Sequence, residues 1–190
     1  MQLASIYAVD AEDRITTFRG GLGPPDDAPP PAHLVGRSLY DFIAGYESAE
    51  LYRLILGGVR SEQRPADIPF RCDGPHVRRF MSLTIVPDGD TVGFRAFLER
   101  SELRPDVPLL SASSERDERF LRMCSWCKQI DAGTSTESDW VEVEAAVDRL
   151  GLFQSRTLPQ LTHGICGRCE DGLATWASPR ACSQRHSASG

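Results

Sequence analysis

The amino-acid sequence predicts an α+β fold: a five-stranded antiparallel sheet with helices, followed by a small cysteine module. Two observations carry this prediction. The first 103 residues contain five β-prone segments and one segment whose apolar residues follow the helical period, which is typical of strands and of an amphipathic helix. In the second half, two Cys-x-x-Cys pairs are separated by residues 128–165, a pattern typical of a metal site.

A β-hairpin opens the predicted order of elements. Residues 5–9 and 14–18 favour strands, and the turn formers of residues 10–13 separate them. Residues 20–31 contain five prolines and three glycines, which excludes a regular element, so we expect a mobile loop there. Residues 34–45 carry short apolar clusters and are predicted to form short helical turns.

One longer helix is predicted over residues 47–60. Its apolar side chains recur at i, i+3, i+4 and i+8, so they are expected to form one buried stripe. The members of this stripe are Leu51, Leu54, Ile55 and Val59.

Three further strands are predicted as a meander over residues 66–73, 77–86 and 91–99. Turn formers join the successive strands, and such short connections favour antiparallel pairing. The side chains expected on the inward faces are those of Ile68, Phe70 and Cys72, of Met81, Leu83 and Ile85, and of Val92, Phe94, Ala96 and Leu98.

This order of elements resembles the PAS domain over residues 4–102. The first PAS hairpin is similar to Ser5-Ile6-Tyr7-Ala8-Val9-Asp10 with Arg14-Ile15, and a later PAS turn is similar to Leu34-Val35-Gly36-Arg37-Ser38-Leu39. The resemblance implies helices on one face of the sheet, which enclose a small apolar pocket or leave a dimer surface. Residues 1–103 are therefore predicted as a PAS-like sensory or interaction domain whose ligand is unknown.

The remainder divides into a linker, a module and a tail. Residues 104–119 are predicted as a linker, with a helix that starts at Ser114 and continues through Met123. Residues 120–177 form the predicted four-cysteine zinc module. Residues 178–190 are small and polar, and we expect a disordered tail.

The predicted metal ligands are Cys124, Cys127, Cys166 and Cys169. Each Cys-x-x-Cys loop can aim two thiolates at one point, two loops complete a tetrahedron, and zinc suits four thiolates. Unligated thiols, a redox disulfide and an iron–sulfur cluster are the alternatives. His163 either replaces one cysteine or lies beside the site. Lys128, the only lysine, either offsets the thiolate charge or is solvated.

A helix is predicted between the two pairs, over residues 139–150, with a capping box of Asp139 and Glu142 and with Gly151 at its end. Its expected buried face comprises Trp140, Val143, Val147 and Leu150. Another short helix is predicted over residues 170–176. A knuckle followed by a cysteine pair that opens a helix is a treble-clef-like arrangement, and the helix N-terminus would stabilise thiolate charge there.

The segment from Cys124 to Cys169 resembles a short cysteine module that follows PAS and related sensory domains in bacterial signalling proteins. The residues that carry this resemblance are Cys124-Ser125-Trp126-Cys127-Lys128-Gln129-Ile130, then Trp140, Glu142 and Glu144, then Thr162-His163-Gly164-Ile165-Cys166-Gly167-Arg168-Cys169. Gly167 stands where proline is expected, and the spacer over residues 152–161 is longer. The resemblance implies signal transduction without a known reaction.

Composition and motifs weigh against several other classes of protein. The net charge of −6 and the pI of about 5.2 disfavour a nucleic-acid binder, and Arg71, Arg78 and Arg79 are interpreted as a solvated strand face. No apolar run is long enough for a transmembrane helix, and the N-terminus lacks the basic region of a secretory signal. No phosphate-loop, deaminase, kinase or cyclase signature is present. His33 and His76 lie in turn-like segments that disfavour haem ligation, and Cys72 is expected in the core.

These inferences lead us to expect a non-enzymatic, cytoplasmic signalling protein with no catalytic residue, in which the PAS-like domain is coupled to a structural zinc module. The expected partner is a protein of a signalling pathway, with a homodimer through the PAS-like domain, and neither a membrane nor nucleic acid is expected as a partner. Two rival hypotheses stay open. One is a zinc-ribbon binder of nucleic acid or of transcription proteins, and the other is a thiol redox sensor that releases zinc.

Overall fold

The computed structural model describes residues 1–20, 34–134, 136–152 and 155–177. Its first half forms a five-stranded sheet of order β2-β1-β5-β4-β3 in which every neighbouring pair is antiparallel. The strands are β1 (Gln2–Val9), β2 (Ile15–Gly20), β3 (Ala66–Arg71), β4 (Val77–Asp88) and β5 (Thr91–Leu103). The prediction of an α+β fold with this sheet is confirmed.

Alternating burial along the meander places most of the core where the sequence pattern predicts it, but Phe70, Cys72 and Leu98, also predicted on the inward faces, are only half-buried. The strictly alternating residues of β4 and β5 have buried side chains on one face of the sheet, and Ile68 of β3 joins them. Both longer strands extend beyond their predicted ends, because β4 and β5 pair from Val77↔Leu103 to Asp88↔Thr91, with one shift of register between Phe80 and Met81. The buried residues of the two strands are Met81, Leu83, Ile85, Val92, Phe94 and Ala96.

A 3-10 turn over Leu39–Phe42 leads into helix α1 (Tyr46–Glu62), which packs on the sheet. The prediction for its buried stripe is wrong at Leu54, which is 57% exposed. Leu56 is buried in its place, beside Ile55. The buried face is rotated because α1 contacts β4 on one side and the C-terminal half of the chain on the other.

A second sheet of four strands follows, with the order β8-β7-β6-β9. Its strands are β6 (Arg116–Cys124), β7 (Ile130–Asp131), β8 (Trp140–Val141) and β9 (Leu158–Gly164), and the helices of this half are α2 (Val143–Arg149) and α3 (Gly167–Ala177). The strands β6 and β9 are parallel. They therefore require the long crossover that contains α2.

Two predictions for local structure in this half are wrong. A helix is predicted from Ser114 to Met123, but from Arg116 onward this segment belongs to β6, where Met123 is buried and Phe120 is 67% exposed. The helix expected from Asp139 begins only at Val143. The reason is that Asp139 is held in a hairpin, where its carbonyl accepts from the N–H of Ala132.

The same hairpin removes Trp140 from the face predicted for that helix, because Trp140 belongs to β8. Leu150 is also not buried, since it caps α2 at 40% exposure. Val143 and Val147 are buried as expected. They join a second apolar cluster with Ile130 of β7.

The segment predicted as a linker, residues 104–119, is packed rather than open. It contains a 3-10 turn over Pro108–Leu110, and Val107 and Leu109 are buried in the second apolar cluster. The two halves also share the first cluster, to which Trp126 and Leu173 contribute from the C-terminal half. The division at residue 103 stays a prediction about independent units, but the contacts across it are extensive.

Some expectations fall on parts of the chain outside the described residues. These are the mobile loop over most of residues 20–31, His33, and the disordered tail of residues 178–190. Among the helices of the described segments, none has the length and apolar character needed to cross a membrane.

Candidate metal centre

The first cysteine pair lies on a tight turn at the end of β6. The N–H of Cys124 donates to the carbonyl of Gln129 at 2.8 Å, and the N–H of Lys128 donates to the carbonyl of Cys124 at 3.0 Å. Lys128 adopts a left-handed backbone conformation with φ of 62°, which few residues other than glycine adopt. This turn reverses the chain after Cys127, so both thiols of the pair point to the same side.

Strand β9, which is parallel to β6, positions the second cysteine pair. Cys124 is in register with Gly164 at the end of β9. Cys166 therefore lies two residues beyond the position opposite Cys124. Helix α3 then begins, and the N–H groups of Cys169 and Glu170 both donate to the carbonyl of Cys166 at 2.9 Å. The N–H of Cys166 donates to the Sγ of Cys124 at 3.5 Å.

These two segments bring the four predicted ligands together. All four Sγ atoms, of Cys124, Cys127, Cys166 and Cys169, lie within 4.8 Å of one another. The Sγ atoms of Cys127 and Cys166 are 3.7 Å apart, and a tetrahedral zinc ion with bonds of about 2.3 Å requires sulfur atoms separated by about 3.8 Å. The four cysteines can therefore hold a metal such as zinc.

The thiols also share charge in a way that suits a cation. Hydrogen bonds from the thiols of Cys127 and Cys169 lower the pKa of Cys124 far below its usual range. The same hydrogen bond to Cys124 raises the pKa of Cys127 to about 11, and it also raises the pKa of Cys169. The cluster thus favours the thiolate of Cys124 and disfavours those of Cys127 and Cys169, and a bound cation would supply the charge that lets all of the ligands ionise.

Two cations flank the cluster, and they behave differently. The guanidinium of Arg168 hydrogen-bonds to Cys127, and this contact raises the pKa of Arg168. The ammonium of Lys128 donates to the carbonyl of Ser125 at 2.7 Å, and among the described residues it donates to no thiol. The sequence analysis identified Lys128 as the possible counter-charge and missed Arg168, whose place inside the second Cys-x-x-Cys loop was the available signal.

His163 does not belong to the cluster of ligand atoms. It lies on β9 in register with Met123, and burial, with the nearby charge of Lys128, lowers its pKa. The possibility that it replaces a cysteine therefore finds no support in the geometry. Of the other residues considered, His76 is exposed and 3.5 Å from Asp106, and Cys72 is half-buried with a free thiol.

The turn over residues 124–128, called the knuckle below, is joined directly to the first sheet. Trp126, which stands between the two cysteines of the first pair, is buried, and its ring centroid lies 5.4 Å from that of Tyr52 on α1. Its carbonyl accepts from the N–H of Arg71 at 2.7 Å. The hydroxyl of Ser48 on α1 donates to the hydroxyl of Ser125 at 2.8 Å. The sequence analysis assigned no role to these contacts.

A charged cluster forms a second connection between the halves. The side chain of Arg71 pairs with Asp73 beside it and with Glu142, just before α2, at 2.7 Å. Arg78 pairs with Glu144 at 2.7 Å, and Arg104 bridges Asp73 and Glu144 at 3.3 Å to each. The prediction of a solvated strand face is wrong for Arg71, which is 8% exposed, because it pairs with Asp73 beside it and with Glu142 of the second half.

Four thiols arranged in this way suit a structural metal site. A tetrahedral ion bound by all four would have no open position for a substrate, and the buried positions of Cys124 and Cys166 would hold it inside the packed chain. In comparisons with known proteins, no family model matches the chain and no curated protein matches it.

Proposed function

We propose that the chain is a non-enzymatic signalling protein in which a PAS-like sensory domain, residues 1–103, is coupled to a structural, treble-clef-like zinc module. One observation carries the proposal: Trp126 belongs to the zinc knuckle and is also part of the apolar core formed by α1 and the first sheet. Any displacement of α1 would therefore reach the metal site through a direct contact.

The packing around α1 supports such a relay. The helix contacts α3, which carries Cys169, and it contacts β9, which precedes Cys166. The carboxylate of Glu47 on α1 accepts from the N–H of Ile165 at 3.1 Å and pairs with Arg122 of β6 at 2.6 Å. Packed interfaces of this kind tend to switch between discrete arrangements instead of deforming continuously.

The same proposal includes a cytoplasmic location, a protein partner and a homodimer through the PAS-like domain. Free thiols ready for zinc suit a reducing compartment. Exposed apolar side chains toward one end of the sheet, Leu3 on β1 opposite Phe97 and Leu103 at the end of β5, suit a contact with a protein. Binding of nucleic acid is less well supported, because Arg71, Arg78 and Arg104 are paired with carboxylates.

One observation favours the redox sensor as a second candidate. Cys127 and Cys169 are only half-buried, so an oxidant can reach thiolates of the site. Oxidation of two ligands to a disulfide would transfer two electrons to the oxidant and release the zinc. In that case zinc would leave at concentrations of hydrogen peroxide that leave the exposed Met1 unmodified.

Amide hydrogen exchange on the zinc-loaded and chelator-treated protein tests the relay. We expect zinc removal to reduce protection in β6 to α3 and also in α1, while β4 and β5 keep theirs. Cys72→Ser is the matched control, since it removes a thiol outside the four-cysteine cluster and should leave the exchange pattern and the zinc content unchanged. Unaltered protection of α1 after complete zinc removal would refute coupling between the two parts.

A further inference from the structure

A cavity of about 250 Å³ lies between the first sheet domain and the zinc knuckle. Helix α1 and strands β3 and β4 supply one wall, and the knuckle and β9 supply the other. The volume is just below the range of about 300–1000 Å³ of drug-sized ligand sites. It therefore suits a small molecule with the size of a single ring.

Aromatic rings form part of the wall, beside polar groups that take up about as much of its surface. The rings of Tyr52, Phe70 and Trp126 line it, and those of Tyr52 and Trp126 are tilted by 36° with centroids 5.4 Å apart. Aromatic walls of this type favour a flat apolar body, because ring pairs prefer offset or tilted contacts at about 4.5–7 Å. Ala44 is exposed and lines the cavity, and its small side chain occupies little of the space.

One end of the cavity is cationic. Lys128 lines it and donates one hydrogen bond, to the carbonyl of Ser125. Among the described residues no carboxylate oxygen lies within 4.0 Å of its ammonium, although an ammonium offers three donors. The neighbouring thiols obtain a nearer cation in Arg168, which hydrogen-bonds to Cys127. Lys128 also interacts with the charges of Cys72, Cys124 and Asp73, but it forms no ion pair with a described carboxylate, and it lines the cavity together with His163.

We propose that this cavity binds a small organic carboxylate with an apolar, ring-sized body. The carboxylate would accept hydrogen bonds from Lys128 and His163, and the body would lie against Tyr52 and Trp126. This inference deepens the proposed sensory function, because it names the class of signal. It also places the signal against the zinc knuckle itself, since Ser125, Trp126 and Lys128 belong to the turn that carries the first cysteine pair.

Calorimetric titration of the zinc-loaded full chain with benzoate tests the proposal, and benzyl alcohol is the uncharged counterpart. We expect saturable binding of one benzoate per chain and affinity for benzyl alcohol that is weaker by about tenfold or more, since hydrogen bonds to a charged group carry at least that much discrimination. Lys128→Met should weaken benzoate binding by about tenfold or more, and Lys128→Arg should retain most of it.

Two further variants separate the cavity from general charge effects. Ala44→Phe should block benzoate while the ammonium stays in place, and Arg149→Met, which removes an exposed cation paired with Asp139 outside the cavity lining, should leave the affinity unchanged. Each variant is first checked for one bound zinc and an unchanged melting temperature. If Lys128→Met fails that check, the comparison of benzoate with benzyl alcohol and the Ala44→Phe variant decide.

Absence of saturable benzoate binding, or a benzoate affinity in Lys128→Met and Ala44→Phe equal to that of the unaltered chain, would overturn the proposal. Failure here is distinguishable from failure of the proposed function. If α1 loses protection on zinc removal but benzoate does not bind, the relay is supported and the ligand proposal fails. If benzoate binds but zinc removal leaves α1 unchanged, the ligand proposal is supported and the relay fails.

Discussion

The indole ring of Trp126 lies 5.4 Å from the phenol ring of Tyr52, although Trp126 stands between Cys124 and Cys127 in the sequence and Tyr52 is on α1. A side chain within a cysteine knuckle usually packs in its own module. Here it completes the core of the neighbouring sheet domain. The metal site and the sheet domain therefore depend on a common set of apolar contacts.

Trp126→Ala should destabilise the whole chain by about 3–5 kcal/mol, because it empties a buried position in the shared core. Urea unfolding of the zinc-loaded protein measures this loss. Trp140→Ala is the matched control, since Trp140 lies only half-buried at the margin of the same core and should cost clearly less. Equal losses for the two variants would contradict the shared core.

Cys127→Ser and Cys166→Ser should each reduce the zinc content from about one ion per chain to a small fraction, because three thiolates cannot complete the tetrahedron. Metal analysis of reduced, natively purified protein measures the content. His163→Ala and Cys72→Ser should both retain zinc, since neither residue belongs to the cluster. Retention in both ligand variants and loss in His163→Ala would identify a different set of ligands.

Gly45→Ala should weaken the contact between the two halves. Gly45 has φ of 89°, and a Cβ atom there would lie 2.7 Å from the carbonyl oxygen of His163 on β9. Gly36 is a matched control, since its φ is 87° and a Cβ atom would meet nothing within 4 Å. We expect both variants to carry the backbone penalty of about 1–2 kcal/mol and Gly45→Ala to lose at least about 1 kcal/mol more through overpacking. Equal unfolding free energies of the two variants would show that the close approach costs nothing.

Arg71→Met should lower the free energy of unfolding by about 3 kcal/mol, because it leaves the buried Asp73 and the nearby Glu142 short of a partner. Arg37→Met is the control: Arg37 pairs with Asp41 at 3.1 Å on the exposed surface, where a salt bridge contributes at most about 1 kcal/mol. Chemical denaturation of both variants makes the comparison. If Arg71→Met loses less stability than Arg37→Met, the carboxylates of Asp73 and Glu142 are solvated in solution.

Stability should fall at alkaline pH partly through Tyr52. Burial raises the pKa of Tyr52 to about 12, so the folded chain holds this proton more tightly than the unfolded chain does. The contribution is complete below about pH 10 and is lost as the pH rises towards 12. Tyr52→Phe should reduce the decline of the urea midpoint between about pH 9 and about pH 11. Tyr46→Phe, at an exposed position, controls for the missing hydroxyl and should retain the full decline.

The first sheet could be predicted from the sequence because the residues that specify each strand and turn are close together in the chain. Strict alternation in β4 and β5, with short turns between consecutive strands, fixes both the strand type and the inward face. The helix α1 was also predictable, but its buried face was not. Leu54 matches the helical period, and only the position of the second half determines that Leu56 is buried instead.

The four-cysteine cluster could be predicted from spacing, whereas its surroundings could not. The parallel pairing of β6 with β9 joins segments about forty positions apart in the sequence, and no local pattern specifies it. The partner of Arg71 is equally remote, since Glu142 lies 71 positions away. Local periodicity favoured a helix from Ser114, and the pairing with β9 selected a strand. Tertiary contacts override local preference in such cases.

The parallel pairing of β6 with β9 also sets an order of assembly. A parallel pair cannot close through a tight turn, so residues 125–157, including α2, must be made before β9 can dock. The chain loses the conformational entropy of closing that loop before the second cysteine pair reaches the knuckle. During synthesis, Cys124 and Cys127 emerge first and can offer an incoming ion only two sulfur ligands. Full capture of the metal must therefore wait until the ribosome has released the chain beyond Cys169.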